Sequence, residues 1–323
     1  MECFQRDMTA IISADVTLEQ VQAKLAELNQ WLPVDGDDGA TVGELVEMNS
    51  TGPLRLGYGA WRDLLLGCQF RNGWGEVITA GGRTFKNVAG YDLTKFMVGQ
   101  CGVFGKVVTI TTRTYRRPAA ALIAEFEPDP ARLRELASGE GRPHWMLLAE
   151  EWLFCGWHGD EKAIGFFESM LKDSGATRVQ RQTIEQDIQT RQELWTGPPN
   201  PVFRAAVPPN RLREFIDLAG RPYGWIADPY FGVVLFDGSD LERGKAYEAA
   251  ARQVGGTVYF VGEREGKPTL AWVRLDDGQR RILHRLKDAF DPEGKLAPLP
   301  ASAPSPLYSG ERLGEGQPAR EGA

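Results

Sequence analysis

The second half of the chain repeats one order of predicted elements, and that repeat limits the possible folds more than any other feature. Leu122–Phe126, Trp145–Leu148, Trp152–Gly156 and Thr177–Gln180 read as strands, and Pro130–Leu136 and Glu161–Leu171 as helices. The order is β-α-β-β-α-β. After a helix over Gln182–Trp195 it returns, with strands Val202–Val207, Gly224–Ala227, Phe231–Leu235 and Thr257–Val261 and helices Arg211–Leu218 and Leu241–Gln253. Each set is a split-βαβ, or ferredoxin-like, unit, and two such units can share one antiparallel sheet. A last helix is expected from Gln279 to Phe290.

The first part of the chain is organised differently. A strand over residues 9–16 leads to a helix opened by Thr17 and Gln20 as a capping box, with Val21, Leu25 and Leu28 on one face. Another helix is expected from Thr41 to Met48. Asn72-Gly73-Trp74-Gly75, between Gln69–Arg71 and Glu76–Thr79, is a hairpin signal. Strands and short helices mix here without regular alternation, so the expected class is α+β. Pro118, after Arg116 and Arg117, marks a boundary. The expected division is a first domain over 1–118, a second over 119–298, and a tail over 299–323. That tail is rich in Pro, Ser, Gly and charge, cannot bury enough apolar surface to offset chain entropy, and is expected to be disordered.

With 323 residues the chain is too long for one ordinary core. A net charge of −7 argues against nucleic acid as a partner, because phosphate binding needs a basic face. No run approaches the ~20 apolar residues of a membrane helix, and the acidic N-terminal residues do not make a signal peptide. The 4 cysteines, Cys3, Cys68, Cys101 and Cys155, show no Cys-x-x-Cys spacing, which points to free thiols in a reducing cytoplasm.

The richest local signal runs from Lys86 to Tyr115. Leu93, Phe96 and Met97 share a helical face, with Asp92 as N-cap and Gly99 as a left-handed terminator. Gly102 and Gly105 bracket a turn before the β-branched run Val107–Thr112. The order helix, turn, strand excludes a Rossmann dinucleotide fingerprint, which needs a strand before its glycines and a helix after them. These glycines read as turn formers or as a ligand cradle. The 3 histidines, His144, His158 and His284, lie in different elements and pair with no nucleophile, so no catalytic residue and no metal site are assigned. The tryptophans of the second domain, including Trp145 and Trp225, read as packing or cofactor stacking. Arg62-Asp63 and Lys86-Asn87 could orient a ligand or form solvated pairs.

Three segments carry a resemblance. Thr51-Gly52-Pro53-Leu54-Arg55-Leu56-Gly57-Tyr58-Gly59-Ala60-Trp61-Arg62-Asp63 is one, and Lys86-Asn87-Val88-Ala89-Gly90-Tyr91-Asp92 followed by Gly99–Gly105 is another. The third is Leu286–Gly294. Together and in this order they resemble the FAD-binding subunit of glycolate oxidase (the GlcE type), within the vanillyl-alcohol-oxidase, or PCMH-type, FAD-binding flavoproteins. The resemblance implies a PCMH-type FAD-binding domain, here partial, followed by a duplicated ferredoxin-like cap that covers the flavin ring. It places Thr41, Gly43, Asn49, Ser50, Gly52, Gly102, Gly105 and Val107 along FAD. It implies a second flavoprotein subunit and an iron–sulfur subunit as partners, and a small 2-hydroxyacid as substrate. A cytoplasmic location follows, with a peripheral position at the inner membrane, through the complex, left open.

The chain also departs from that family. It opens at a strand that follows the family's first subdomain, so the pyrophosphate loop is expected to be missing. Glu44 stands where relatives have glycine, and Leu296-Ala297-Pro298 replaces a closing Asn-Pro-Gly. Charge-assisted bonds are each worth roughly 1.5–3 kcal/mol, so losing several predicts FAD affinity lower by orders of magnitude. The alternative expectation is a flavin-less relative acting as a scaffold subunit.

Overall fold

Leu65–Arg71 and Lys106–Arg113 pair along most of their length and form the middle of the first sheet. The computed structural model describes residues 1–82, 92–139, 141–196, 202–237, 243–264, 267–271 and 277–299. The Lys86–Tyr91 motif and the tail beyond Leu299 lie outside them.

In chain order the elements begin with β1 (Glu2–Phe4), β2 (Thr9–Ser13), α1 (Leu18–Ala26), β3 (Gln30–Trp31) and α2 (Val42–Glu47). Next come α3 (Arg55–Tyr58), α4 (Trp61–Leu64), β4 (Leu65–Arg71), β5 (Val77–Gly81), α5 (Leu93–Phe96), β6 (Lys106–Arg113) and β7 (Tyr115–Arg116). The repeat opens with β8 (Ala120–Phe126), α6 (Pro130–Ser138), β9 (Trp145–Leu148), β10 (Leu153–Gly159), α7 (Glu161–Leu171) and β11 (Arg178–Gln182), closed by α8 (Ile184–Thr196). Its second round is β12 (Val202–Ala206), α9 (Leu212–Leu218), β13 (Ile226–Asp228), β14 (Val233–Asp237), α10 (Gly244–Gln253) and β15 (Thr257–Arg264). β16 (Lys267–Ala271) and α11 (Asp277–Phe290) follow. The doubled order is therefore that expected from sequence. The short β1, β3, β7 and β16 were not, because strands of a few residues carry too little alternation to read.

Met1–Thr196, Ile226–Tyr230 and Asp276–Leu299 form one compact unit. Its first sheet is antiparallel, in the order β1-β2-β6-β4-β5, with Ile12 opposite Ile110 and a small β3–β7 pair beside it. The apolar face of that sheet packs on α1 and α2 through Ile12, Val21, Leu25, Val42, Val46 and Ile110. Thr17 and Gln20 form the expected capping box, satisfying two otherwise unpaired donors. The hairpin at Asn72–Gly75 joins β4 to β5 as expected. The same unit holds the first round of the repeat, antiparallel in the order β11-β8-β10-β9, which is that of a split-βαβ sheet. β13 pairs with β9 through Ala227 and Leu148. Gly156 lies under the Trp145 indole, where a Cβ would come within 2.0 Å of Nε1.

The other unit takes in Gly197–Trp225 and Phe231–Leu275. Its strands run antiparallel in the order β14-β12-β15-β16. Phe203, Phe215, Phe236 and Tyr247 form an aromatic cluster under α9 and α10, with ring centroids 4.8 Å apart for Phe236 and Tyr247. Among the described residues no helix is long and apolar enough to cross a membrane.

Candidate functional site

Helix α2 starts at Thr41, whose hydroxyl accepts the Glu44 amide at 3.3 Å. Glu44 bends back, and one oxygen accepts both the Thr41 amide and the Thr41 hydroxyl at 2.9 Å. The Glu44 carboxylate is thus engaged at the positive end of its own helix. Gly43 donates its amide to the Ala14 carbonyl at 2.9 Å. A Cβ there would lie 2.8 Å from Ala14, so close approach to the segment after β2 requires glycine.

The far end of α2 holds the glycine turn. The carbonyls of Val46 and Glu47 accept the amides of Gly99 at 3.0 Å and Cys101 at 2.9 Å, answering groups a helix end leaves unpaired. Asn49, Gly99, Cys101 and Gly102 all have positive φ, of 49°, 81°, 54° and 73°. A Cβ on Gly99 would meet that of Asn49 at 3.2 Å, so the Asn49–Gly52 loop and the Gly99–Gly105 turn touch. Gln100, overlooked in the sequence reading, is buried and staples the turn. Its amide donates to the Gly105 carbonyl at 2.8 Å and its oxygen accepts the Phe104 amide at 2.9 Å. Gly105 packs on β4, with Phe70 2.6 Å from a Cβ placed there. At Gly102 the nearest atoms to such a Cβ are Ala297 Cβ at 3.7 Å and Glu47 Oε2 at 3.8 Å, so conformation and not crowding demands glycine. Val107 donates its amide to Glu47 Oε1 at 2.7 Å. Burial pushes the Glu47 carboxyl up, against the opposing pull of that bond.

Beside the loop lies a small cleft whose walls include Asp35, Ser50, Gly52, Arg55, Gly59 and Trp61. The Ser50 hydroxyl donates to the Asp35 carbonyl at 3.2 Å, and Asp35 Oδ2 accepts the Leu54 amide at 2.8 Å. Of the residues placed along FAD by the sequence reading, Ser50 and Gly52 border this cleft. Asn49, Gly102, Gly105 and Val107 lie on the turn side, and Thr41 and Gly43 at the start of α2.

Asp35 also ends a buried ionic chain. Its Oδ1 accepts from Arg191 Nε at 2.9 Å, and Arg191 Nη1 reaches Asp187 Oδ2. Asp187 and Arg191 stand four residues apart on α8, hence on one face. Asp187 Oδ1 accepts the Trp145 indole at 2.8 Å, and Oδ2 meets His158 Nε2 at 2.9 Å. His158 Nδ1 lies 2.9 Å from the Tyr58 hydroxyl. Side-chain exposure is 0% for Asp187, 1% for His158, 3% for Arg191 and 9% for Asp35. Burial works to raise the Asp187 carboxyl, but the charges of His158 and Arg191, with hydrogen bonds from His158 and Trp145, outweigh it and hold it at about 2. His144 stacks on both Tyr58 and His158; burial, with His158 beside it, brings its ring down to about 3. Burial, then the Asp187 charge, push the Tyr58 phenol up. Of this chain the sequence reading singled out Trp145, as packing or cofactor stacking, and His158, to which it gave no catalytic role.

The residues present fit FAD as a ligand. The Trp61 indole N–H is buried, has no partner among the described residues, and belongs to a cleft-lining residue, as a waiting donor would.

Comparison with known proteins bears on the same strip. A family model described as "FAD binding domain" matches residues 2–81. The chain is 38% identical to glycolate oxidase subunit GlcE of Escherichia coli over 109 residues, 32% of this chain and 31% of that subunit. It is 34% identical to a D-lactate dehydrogenase of Archaeoglobus fulgidus across 90% of this chain and 76% of that one. Among solved structures, alkyldihydroxyacetonephosphate synthase superposes with a TM-score of 0.64 at 15% identity, over 90% of this chain and 65% of that one. That likeness shows the fold, an α+β PCMH-type FAD-binding architecture. With a FAD binding domain at its start and a D-lactate dehydrogenase matched along most of both chains, the protein belongs to the PCMH-type FAD-binding flavoproteins, the family of the D-lactate dehydrogenases and glycolate oxidase subunits.

Proposed function

We propose that the chain is the FAD-binding subunit of a glycolate, or other 2-hydroxyacid, oxidase or dehydrogenase complex. It passes electrons from the hydroxyacid through flavin to an iron–sulfur partner. The observation that carries this reading is the contact between the Asn49–Gly52 loop and the Gly99–Gly105 turn, beside a cleft lined by a tryptophan with an unpartnered N–H. Ser50, Gly52, Arg55 and Trp61 would hold the cofactor in the cleft, beside the turn at Gly102. When bound, FAD supplies a two-electron acceptor for hydride from the α-carbon of the acid. His158 is enclosed by Tyr58, Asp187 and His144 and is not placed as the base for a substrate proton. The substrate base is therefore assigned to the second flavoprotein subunit, and the iron–sulfur centres to a third chain, since the 4 cysteines here are scattered without Cys-x-x-Cys spacing. The location consistent with this is cytoplasmic.

The test is anaerobic addition of glycolate or D-lactate to the FAD-loaded chain, alone and with its two partner subunits. Bleaching of the visible flavin band only in the complex is the expected result. Bleaching in the isolated chain would make it an oxidoreductase by itself, and none in either would remove the hydroxyacid reading.

A second reading, a flavin-less scaffold subunit, draws on the Glu47 carboxylate at the Val107 amide and on the Thr41 hydroxyl being taken by Glu44. It requires that the purified chain ignore added FAD.

A further inference from the structure

We propose that Arg191 is a positioning residue that ties the two walls of the cleft to each other through one buried ionic chain. The proposal rests on the reading of the cleft as part of a flavin site. One wall is the Ser50–Leu54 loop, which Asp35 holds through the Leu54 amide and the Ser50 hydroxyl. The other contains Gly59, Ala60 and Trp61, which directly follow Tyr58. Arg191 Nε reaches Asp35, and Nη1 reaches Asp187, which meets His158, which meets the Tyr58 hydroxyl. The walls are therefore connected by side chains as well as by backbone.

Two features suit this task to arginine. Its planar fork presents separate nitrogens at fixed angles to two carboxylates, which a lysine ammonium, a single point charge, does not reproduce. The groups are also shielded from solvent, so salt screens them weakly. A buried ionic chain costs desolvation that an apolar core would avoid, and what it offers in return is one defined geometry. Tyr58 is itself confined: a Cβ on Gly57 would lie 2.9 Å from His144, and the Tyr58 ring stacks on His144 and His158.

The test uses the full chain, Arg191→Lys, and Tyr58→Phe, which removes a single hydroxyl and threatens folding little. Amide hydrogen exchange reads the walls directly and needs no cofactor. In Arg191→Lys, exchange should quicken by about tenfold over both Ser50–Leu54 and Tyr58–Trp61, while β2, β4 and β6 stay as in wild type. Tyr58→Phe should loosen its own wall strongly and the Ser50–Leu54 wall less. FAD titrated into Arg191→Lys should bind about fivefold more weakly and with a less structured visible band. Faster exchange at one wall only, or an equal rise across the first sheet, would overturn the proposal, the second result making Arg191 a general stabiliser. A wild-type chain that takes up no FAD overturns the flavin reading alone, because the exchange measurement still decides whether Arg191 joins the walls.

Discussion

Two parts of the first unit meet at the cleft and are built in opposite ways. Around α2 and the glycine turn nearly every contact involves backbone. Helix carbonyls accept turn amides, Gln100 bonds main-chain groups, and three glycines are set by close packing at Gly43, Gly52 and Gly105. Around Asp187 the contacts join side chains of α3, α8, β9 and β10 and the loop at Asp35, with partners as much as 156 positions apart. A backbone site tolerates many side-chain changes and is set mainly by conformation. An enclosed ionic chain tolerates few, because removing one member strands the charge of another.

The largest effect expected from that contrast is at Asp187. Asp187→Ala leaves Arg191 and His158 without their shared carboxylate and should cost about 3–5 kcal/mol, read from urea unfolding. A loss below about 1 kcal/mol would mean that the chain is not the stiff part of the unit.

Acid comes next. His144 is neutral in the folded protein down to about 3, whereas its unfolded counterpart takes a proton near 6.5. Between those values the unfolded state binds more protons, so stability falls as pH falls, by about 1.4 kcal/mol per unit and about 2 kcal/mol from pH 6.5 to 5. Asp187 adds to this only at lower pH, since its stabilisation is lost as pH falls from 3.8 towards about 2. His144→Gln should flatten the upper part of the profile, and an unchanged slope would assign it elsewhere.

On the cleft side, Trp61→Phe removes the unpartnered donor and should weaken FAD by about 1 kcal/mol, roughly fivefold. Equal affinity would leave that N–H without a ligand role. The smallest effect is expected where charge lies in water. Arg181 meets Glu161 at 2.9 Å and Glu168 at 2.5 Å, but is 48% exposed, and Arg181→Ala should leave the midpoint of the same urea series close to that of wild type.

What was legible in the sequence follows the same division. The capping box at Thr17, the helix start at Thr41, the Asp92 cap, the Asn72–Gly75 hairpin and the doubled order of elements all rest on residues a few positions apart, and the structure contains them. Thr41 carries two meanings that a sequence cannot separate, since a helix cap and a cofactor contact call for the same hydroxyl. Glu47 was silent because its partner, the Val107 amide, lies 60 residues away. His158 had no visible partner because nothing nearby in sequence announces Tyr58, Asp187 or Arg191. The i, i+4 spacing of Asp187 and Arg191 was the one available hint, and on its own it describes any solvated helix face.

The central claim is that the Asn49–Gly52 loop and the glycine turn form one half of a flavin site that still binds its cofactor. The visible absorption spectrum of the purified full chain, taken after incubation with FAD and removal of free cofactor, tests it most directly. The account predicts a retained flavin band that is released as FAD on denaturation. A protein that stays colourless after excess FAD would contradict it and leave the ionic chain as the scaffold of a subunit without a cofactor.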